Sequence, residues 1–117
     1  MLPRPHKLTS SAEFRRAMRK GSRAGSSTLV VHVYAREELV VRGGPRFGLV
    51  VSKQVGNAVT RHAVSRRLRE VVRGSVDKHA PNHDVVVRAL PACATATSSE
   101  LERDYASALD RALKKLQ

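Results

Sequence analysis

Between Lys53 and Arg73 the chain sets six cations against a single acid, Glu70. If this stretch is helical, His62, Arg66, Arg69 and Arg73 fall within about 60° of one another at 100° per residue, opposite Val64, Leu68, Val71 and Val72. One side then buries, and the other becomes a cationic stripe about 16 Å long, enough to follow several phosphates. Arg61 and Arg67 flank it. A face that serves only solubility mixes its signs, whereas this one is nearly all arginine, whose planar fork grips phosphate oxygens in pairs. The chemistry on offer is polyanion binding.

Bond-making chemistry is not on offer. Acidic residues are scarce and gather in the last third, and no nucleophile stands at a readable spacing from a base, so no catalytic residue is expected in the protein. His79 and His83 sit four apart, but Pro81 lies between them and no third ligand accompanies them; they read as loop histidines, and no metal site is expected. Cys93, in PACATAT, lacks neighbouring charges and reads as an unreactive thiol.

The charge is directional. Of the net +12, Met1 to Arg23 carries +6, Ala24 to Ser52 +1, Lys53 to Arg73 +5, and the remainder nothing. Two basic blocks beside a neutral third suit a nucleic acid. With only Phe14, Phe47, Tyr34 and Tyr105 as aromatics, recognition should rest on backbone and shape more than on extended base stacking. The 117 residues, 41% of them hydrophobic, suffice for one domain over 1–117 with its own core. A lone cysteine points to a reducing compartment, and no apolar run approaches the roughly 18 residues that would span a bilayer. Pro3 and Pro5 interrupt what could otherwise pass for a transit peptide. A cytoplasmic protein without a membrane partner is expected.

The elements that must position these groups follow from local signals. Ser10 and Glu13 have capping-box spacing and Gly21 stands at a stop, which predicts a first helix over Ser11 to Lys20 with Phe14, Ala17 and Met18 as its apolar stripe. Thr28 to Ala35 predicts a strand with Val30, His32 and Tyr34 on one face. Leu39 to Val41, a turn at Gly43-Gly44, and Arg46 to Ser52 predict a short strand, a hairpin and a longer strand, all antiparallel. Asn57 and Gly74 bracket the basic helix, His83 to Leu90 is a further strand, and a second capping box at Ser99 opens a final helix with Leu101, Tyr105, Leu109, Ala112 and Leu116 on one face. The order is αβββαβα, an α+β layer of helices on a sheet.

The block KQVGNAVTRHAVSRRLRE, Lys53 to Glu70, resembles the signature of the bacterial ribonuclease P protein subunit, and the Lys7-Leu8 and Glu13-Phe14 opening, VVVRAL before Pro91 and the final helix resemble that family too. The resemblance implies an α-β sandwich with a mixed sheet and a left-handed βαβ crossover through the basic helix. General physics favours the other hand, since about 98% of parallel βαβ crossovers are right-handed. It further implies that the protein is a cofactor for a ribozyme: the catalytic RNA subunit holds the Mg2+ ions, and the protein binds ribonuclease P RNA and the 5′ leader of precursor tRNA.

Carried over residue by residue, the resemblance places Arg61, Arg66 and Arg69 against RNA, with Gly56, Asn57 and Ala58 as the turn before the helix; Lys53, Asn57, His62, Arg67 and Arg73 complete the expected RNA-binding set. It places Phe14, Met18, His32 and Tyr34 in a leader-binding cleft between the first helix and the sheet. His62 stands where the family has Asn and Ser65 where it has Lys, and Arg67 is the candidate to compensate for the lost charge. The rival reading is a structural RNA-binding protein of ribosomal type, which would share charge and size but not the signature. DNA is not expected, because a strand rather than a positioning helix precedes the basic helix.

Overall fold

The computed structural model describes residues 7–37 and 44–116. Three helices, α1 (Ser11–Lys20), α2 (Ala58–Arg73) and α3 (Ser98–Leu116), pack on a sheet of β1 (Ser22–Gly25), β2 (Leu29–Ala35), β3 (Arg46–Val50) and β4 (His83–Ala89). The chain order is the expected αβββαβα, but the first strand is the unforeseen Ser22–Gly25. The expected strand over Leu39 to Val41, and Gly43 of its turn, lie outside the described residues.

Helix ends follow their caps. The Ser10 hydroxyl accepts from the amides of Ala12 and Glu13, and Glu13 returns a bond to the Ser10 amide. Asn57 Oδ1 accepts from the Thr60 amide at 2.9 Å. The box opening α3 lies two residues earlier than expected: Thr97 Oγ1 accepts from the Glu100 amide at 3.1 Å, and Glu100 accepts from the Thr97 amide at 3.0 Å. Gly21 ends α1 in an extended conformation, and its need is proximity, because a Cβ there would stand 2.7 Å from the Val33 carbonyl oxygen.

The strands lie in the order β1-β2-β4-β3, with β3 parallel to β4 and the other pairs antiparallel. The expected run of three antiparallel strands is thus corrected: β4 separates β2 from β3. A central strand is covered on both faces, and β4 has the sequence for it, since Val85, Val86 and Val87 are all fully buried.

The parallel β3-α2-β4 unit is left-handed. Arg36 N–H donates to Asn82 O and Leu90 N–H to Thr28 O, so the even-numbered residues of β2 turn their amides toward β4. Those side chains share the face that α1 covers. For L-residues this sets β4 to the right of β3 when that face is viewed with both strands pointing up, while α2 lies behind. The general preference for the right hand is overridden here.

Helices occupy both faces, not one. α2 and α3 bury Val64, Leu68, Val72, Leu101, Leu109 and Ala112 against Leu29, Val31, Val33, Phe47, Val85 and Val87. On the other face α1 packs Ala17, Phe14 and Met18 with Leu8, Val86, Tyr34 and Val50. Leu8 N–H donates to Phe47 O at 2.8 Å, so the segment before α1 covers the outer edge of β3.

Candidate nucleic-acid interface

α2 buries the side the wheel assigns to it and leaves His62, Arg66 and Arg73 exposed, with Arg61 and Arg69 half-buried beside them. Lys53 is exposed in the turn before the helix, and Asn57 is occupied by its cap. Arg73 also approaches Glu70 at 3.6 Å. Arg67 leaves the set. Its Nη1 donates to Ala96 O at 2.8 Å on the α3 side of the helix, so it ties α2 to the loop before α3 and does not replace the charge missing at Ser65.

Ser65 and Arg69 instead turn toward β3. They line a cleft of about 280 Å3 together with Lys7, Leu8, Phe14, Phe47, Gly48 and Leu49. Here the edge of the sheet joins the two basic helices: Phe14 comes from α1 and Arg69 from α2. The ring of Phe14 lies on Gly48, where a Cβ would run into Cε1 and Cζ. An apolar ring flanked by Lys7 and Arg69 offers stacking and phosphate contact within one opening.

The other three expected cleft residues are placed differently. Met18 is half-buried in the α1 packing. Tyr34 lies under Arg16, whose guanidinium carbon is 5.0 Å from the ring centroid, so its face is already taken. His32 is 2% exposed and offers no stacking surface. Burial first, then the cations of Arg88 and Arg23, lower its pKa to about 4. Those two arginines were not singled out from the sequence. The register pairs Arg23 with His32 and sets Arg88 between Val30 and Val50, on the α1 face of the sheet. The available signal was strand parity within VVVRAL.

Three histidines share a depressed pKa, which gives a pH prediction. Burial, with neighbouring charge, lowers His32 and His79 to about 4 and lowers His83 as well. Each is held neutral in the fold, so its contribution is present above the unfolded value near 6.5 and is lost as pH falls below it, for His32 and His79 down toward about 4. Denaturant unfolding is expected to lose on the order of 3 kcal/mol between pH 7 and 4.5 from His32 alone, and His32→Leu should flatten that part of the slope. An unchanged slope in the variant would remove His32 from the account.

Asp84 anchors the opposite flank of α1. Its carboxylate is fully buried and receives Arg36 Nη1 at 2.6 Å, Arg46 Nε and Nη2 at 2.8 Å each, and Arg16 Nη2 at 3.3 Å. Burial by itself would raise this carboxyl; the hydrogen bonds and charges of Arg46 and Arg36 together outweigh it and hold the pKa below the ordinary value. Arg46 also pairs with Glu13, and Arg36 donates to Gly44 O and Pro81 O. The hub therefore fixes α1, β3 and the end of β2 to one another.

His79 and His83 are neighbours, with Nδ1 atoms 3.1 Å apart, and His79 packs edge-on against Phe47. Loop histidines are expected from the sequence; His79 does lie in the loop before β4, whereas His83 is the first residue of that strand. Among the described residues no three His, Cys, Asp or Glu side chains are grouped to hold a metal ion. Cys93 is buried, and burial raises its pKa. No helix among the described residues is long and apolar enough to cross a membrane.

The family model for Ribonuclease P matches residues 2–113. The chain is 57% identical to the ribonuclease P protein component of Corynebacterium diphtheriae, over 98% of this chain and 99% of that one. It is 51% identical to the component of Rhodococcus opacus, over 95% and 91% respectively. The structure of a Staphylococcus aureus RNase P protein mutant with defective mRNA degradation activity superposes with a TM-score of 0.79 at 27% identity, covering 92% of this chain and 87% of that one. The RNase P protein of Thermotoga maritima shares the fold, with a TM-score of 0.71 at 18% identity over 86% of this chain and 92% of that one.

Proposed function

The chain belongs to the ribonuclease P protein family, components of a tRNA-processing ribonuclease with an RNA partner, and on that premise we propose how its two surfaces divide the work. As one RNA-binding domain, it docks on ribonuclease P RNA through Arg61, His62, Arg66 and Arg69, with Lys53 and Arg73 at the ends of the stripe. The 5′ leader of precursor tRNA runs from α2 over the edge of β3 into the cleft at Phe14, with Arg88 and Arg23 further along the α1 face. The RNA subunit holds the Mg2+ ions and breaks the phosphodiester bond, in the cytoplasm. The protein supplies position and charge.

The observation that carries this reading is the shared opening, in which Phe14 from α1 and Arg69 from α2 line one cleft. The family signature runs into α2, and among the described residues that line the cleft the charged ones are Lys7 and Arg69.

Phe14→Ala tests it. Loss of one base-aromatic stack is worth about 1–3 kcal/mol, roughly five- to 150-fold in affinity. The holoenzyme should lose that affinity for precursor tRNA but not for mature tRNA, so the ratio of the two binding constants shrinks. Loss of core packing alone would lower the melting temperature and leave the ratio unchanged, and that result would refute the cleft assignment. The protein free of RNA should not cleave precursor tRNA with any divalent ion; cleavage at the mature 5′ end by RNA-free protein would overturn the division of labour.

A further inference from the structure

We propose that the cleft at Phe14 selects a guanine of the leader, with Arg69 as the residue that reads the base through its O6 and N7. This rests on the leader cleft proposed above and goes further, from a place for the strand to a preference for one base.

The stacking platform is held by contacts. Phe14 is half-buried, its ring lies directly on the backbone of Gly48, and it packs in one cluster with the buried Leu8. A ring fixed in this way stacks with any base, because every base has a π-face, so the platform by itself does not discriminate. Discrimination must come from the polar groups at its edge. Those are Lys7, Ser65 and Arg69, and among the described residues none of their side chains makes a hydrogen bond or an ion pair. Lysine and arginine only donate, and a serine hydroxyl does either, so the cleft has donors to spare and no side chain that is an acceptor only.

Each base meets such a lining differently. Guanine presents two adjacent acceptors, O6 and N7; adenine sets an amine beside N7, cytosine presents an amine, and uracil, like thymine, a lone O4. A guanidinium fork answers the guanine edge with two parallel bonds, and it turns donor against donor at the amine of adenine or cytosine.

Room and position agree. The opening of about 280 Å3 is at the small end for a ligand site, so it takes one base rather than a stack. Arg69 is half-buried and stands four residues after Ser65 on one side of α2, so its fork and the hydroxyl border the cleft together. Lys7 is exposed and is left for the phosphate. Arg69 has five donors, of which a base edge uses two, so the same side chain keeps donors for the ribonuclease P RNA.

The test uses the assembled holoenzyme, with its RNA saturated by protein, and precursor tRNAs whose leader is all adenosine except for one guanosine walked through its positions. At one position guanosine should bind tighter than adenosine by about five- to 150-fold, the range for one bidentate base contact. There inosine, which lacks the N2 amine but keeps O6 and N7, should retain the gain, and 7-deazaguanosine, which lacks N7, should lose most of it. Arg69→Lys keeps the charge and loses the fork, so the ratio of guanosine to adenosine binding should fall toward one. A flat scan, a gain kept by 7-deazaguanosine or a ratio unmoved by Arg69→Lys overturns the proposal. The modified bases are read on the wild-type chain, so a poorly folded variant does not decide the outcome. Phe14→Ala separates this proposal from the cleft it rests on: with a flat scan, a precursor-to-mature ratio that still shrinks leaves the leader in the cleft without a base preference, and an unchanged ratio removes both.

Discussion

Asp84→Ala should cost about 3–5 kcal/mol of folding stability, the range for removing one partner of a buried ion pair. A domain of this kind is stable by only about 5–15 kcal/mol, so the variant stands near the edge of folding. The cost comes from what stays behind. Arg36 is 4% exposed as a residue, and without Asp84 it loses the 2.6 Å bond its Nη1 makes to the carboxylate, while Nη2 still donates to Gly44 O and Pro81 O. Arg46 keeps Glu13 but loses both of its bonds to the carboxylate, and Arg16 loses the contact that holds α1 on the sheet. The sign with pH is fixed as well: a carboxylate with a depressed pKa contributes fully above its unfolded value near 3.8 and loses that contribution as pH falls through the lower folded value. Urea unfolding at pH 7 measures the effect. A loss below about 1 kcal/mol, the level of an exposed ion pair, would show that the hub is solvated in practice.

None of that hub was legible in the sequence, for a physical reason. Its partners stand 38, 48 and 68 residues from Asp84, and only the parallel pairing of β3 with β4 sets Arg46 beside it. Local signals were read well: α1 and α2 begin and end where Ser10, Asn57, Gly21 and Gly74 place them. β1 escaped because SRAG has no strand propensity of its own. It is made a strand by pairing with β2, by Ser22 Oγ donating to Ala112 O at 2.7 Å, and by Arg111 and Lys115 of α3 donating to the carbonyls of Gly25 and Arg23. The neighbour of β3 escaped for the same reason as Asp84. Adjacency in sequence favours β2, but the valine run of β4 gains more from the centre of the sheet.

The interface divides along the same line. The α2 stripe depends on helix periodicity alone and was read from the sequence, whereas the positions judged by likeness, His32 and Tyr34, depend on what lies above them. Strand parity correctly put both on the face toward α1, and it is silent about Arg16 covering one ring and the packing burying the other. Arg67 fails in the same way, since the carbonyl that claims it lies 29 residues downstream.

That difference makes Arg67 the control for the largest functional effect expected. Arg61→Ala/Arg66→Ala/Arg69→Ala should weaken assembly with ribonuclease P RNA on the order of 100- to 1,000-fold at moderate salt and reduce the salt slope by about 2–3, because three phosphate contacts are removed together. Stability should move little, within about 0.5 kcal/mol per exposed position. Arg66 is exposed, and neither Arg61 nor Arg69 holds a carboxylate that its loss would leave buried and unpaired among the described residues. Arg67→Ala should do the reverse. It gives up a 2.8 Å bond to Ala96 O and so costs about 1–3 kcal/mol of stability, while the salt slope stays that of the wild type. The two variants differ in opposite directions on two measurements, which a general loss of charge or a general loss of fold would not produce. Equal affinity of the triple variant for ribonuclease P RNA at fixed salt, or a slope reduced as much by Arg67→Ala, would mean that the RNA docks elsewhere on the chain.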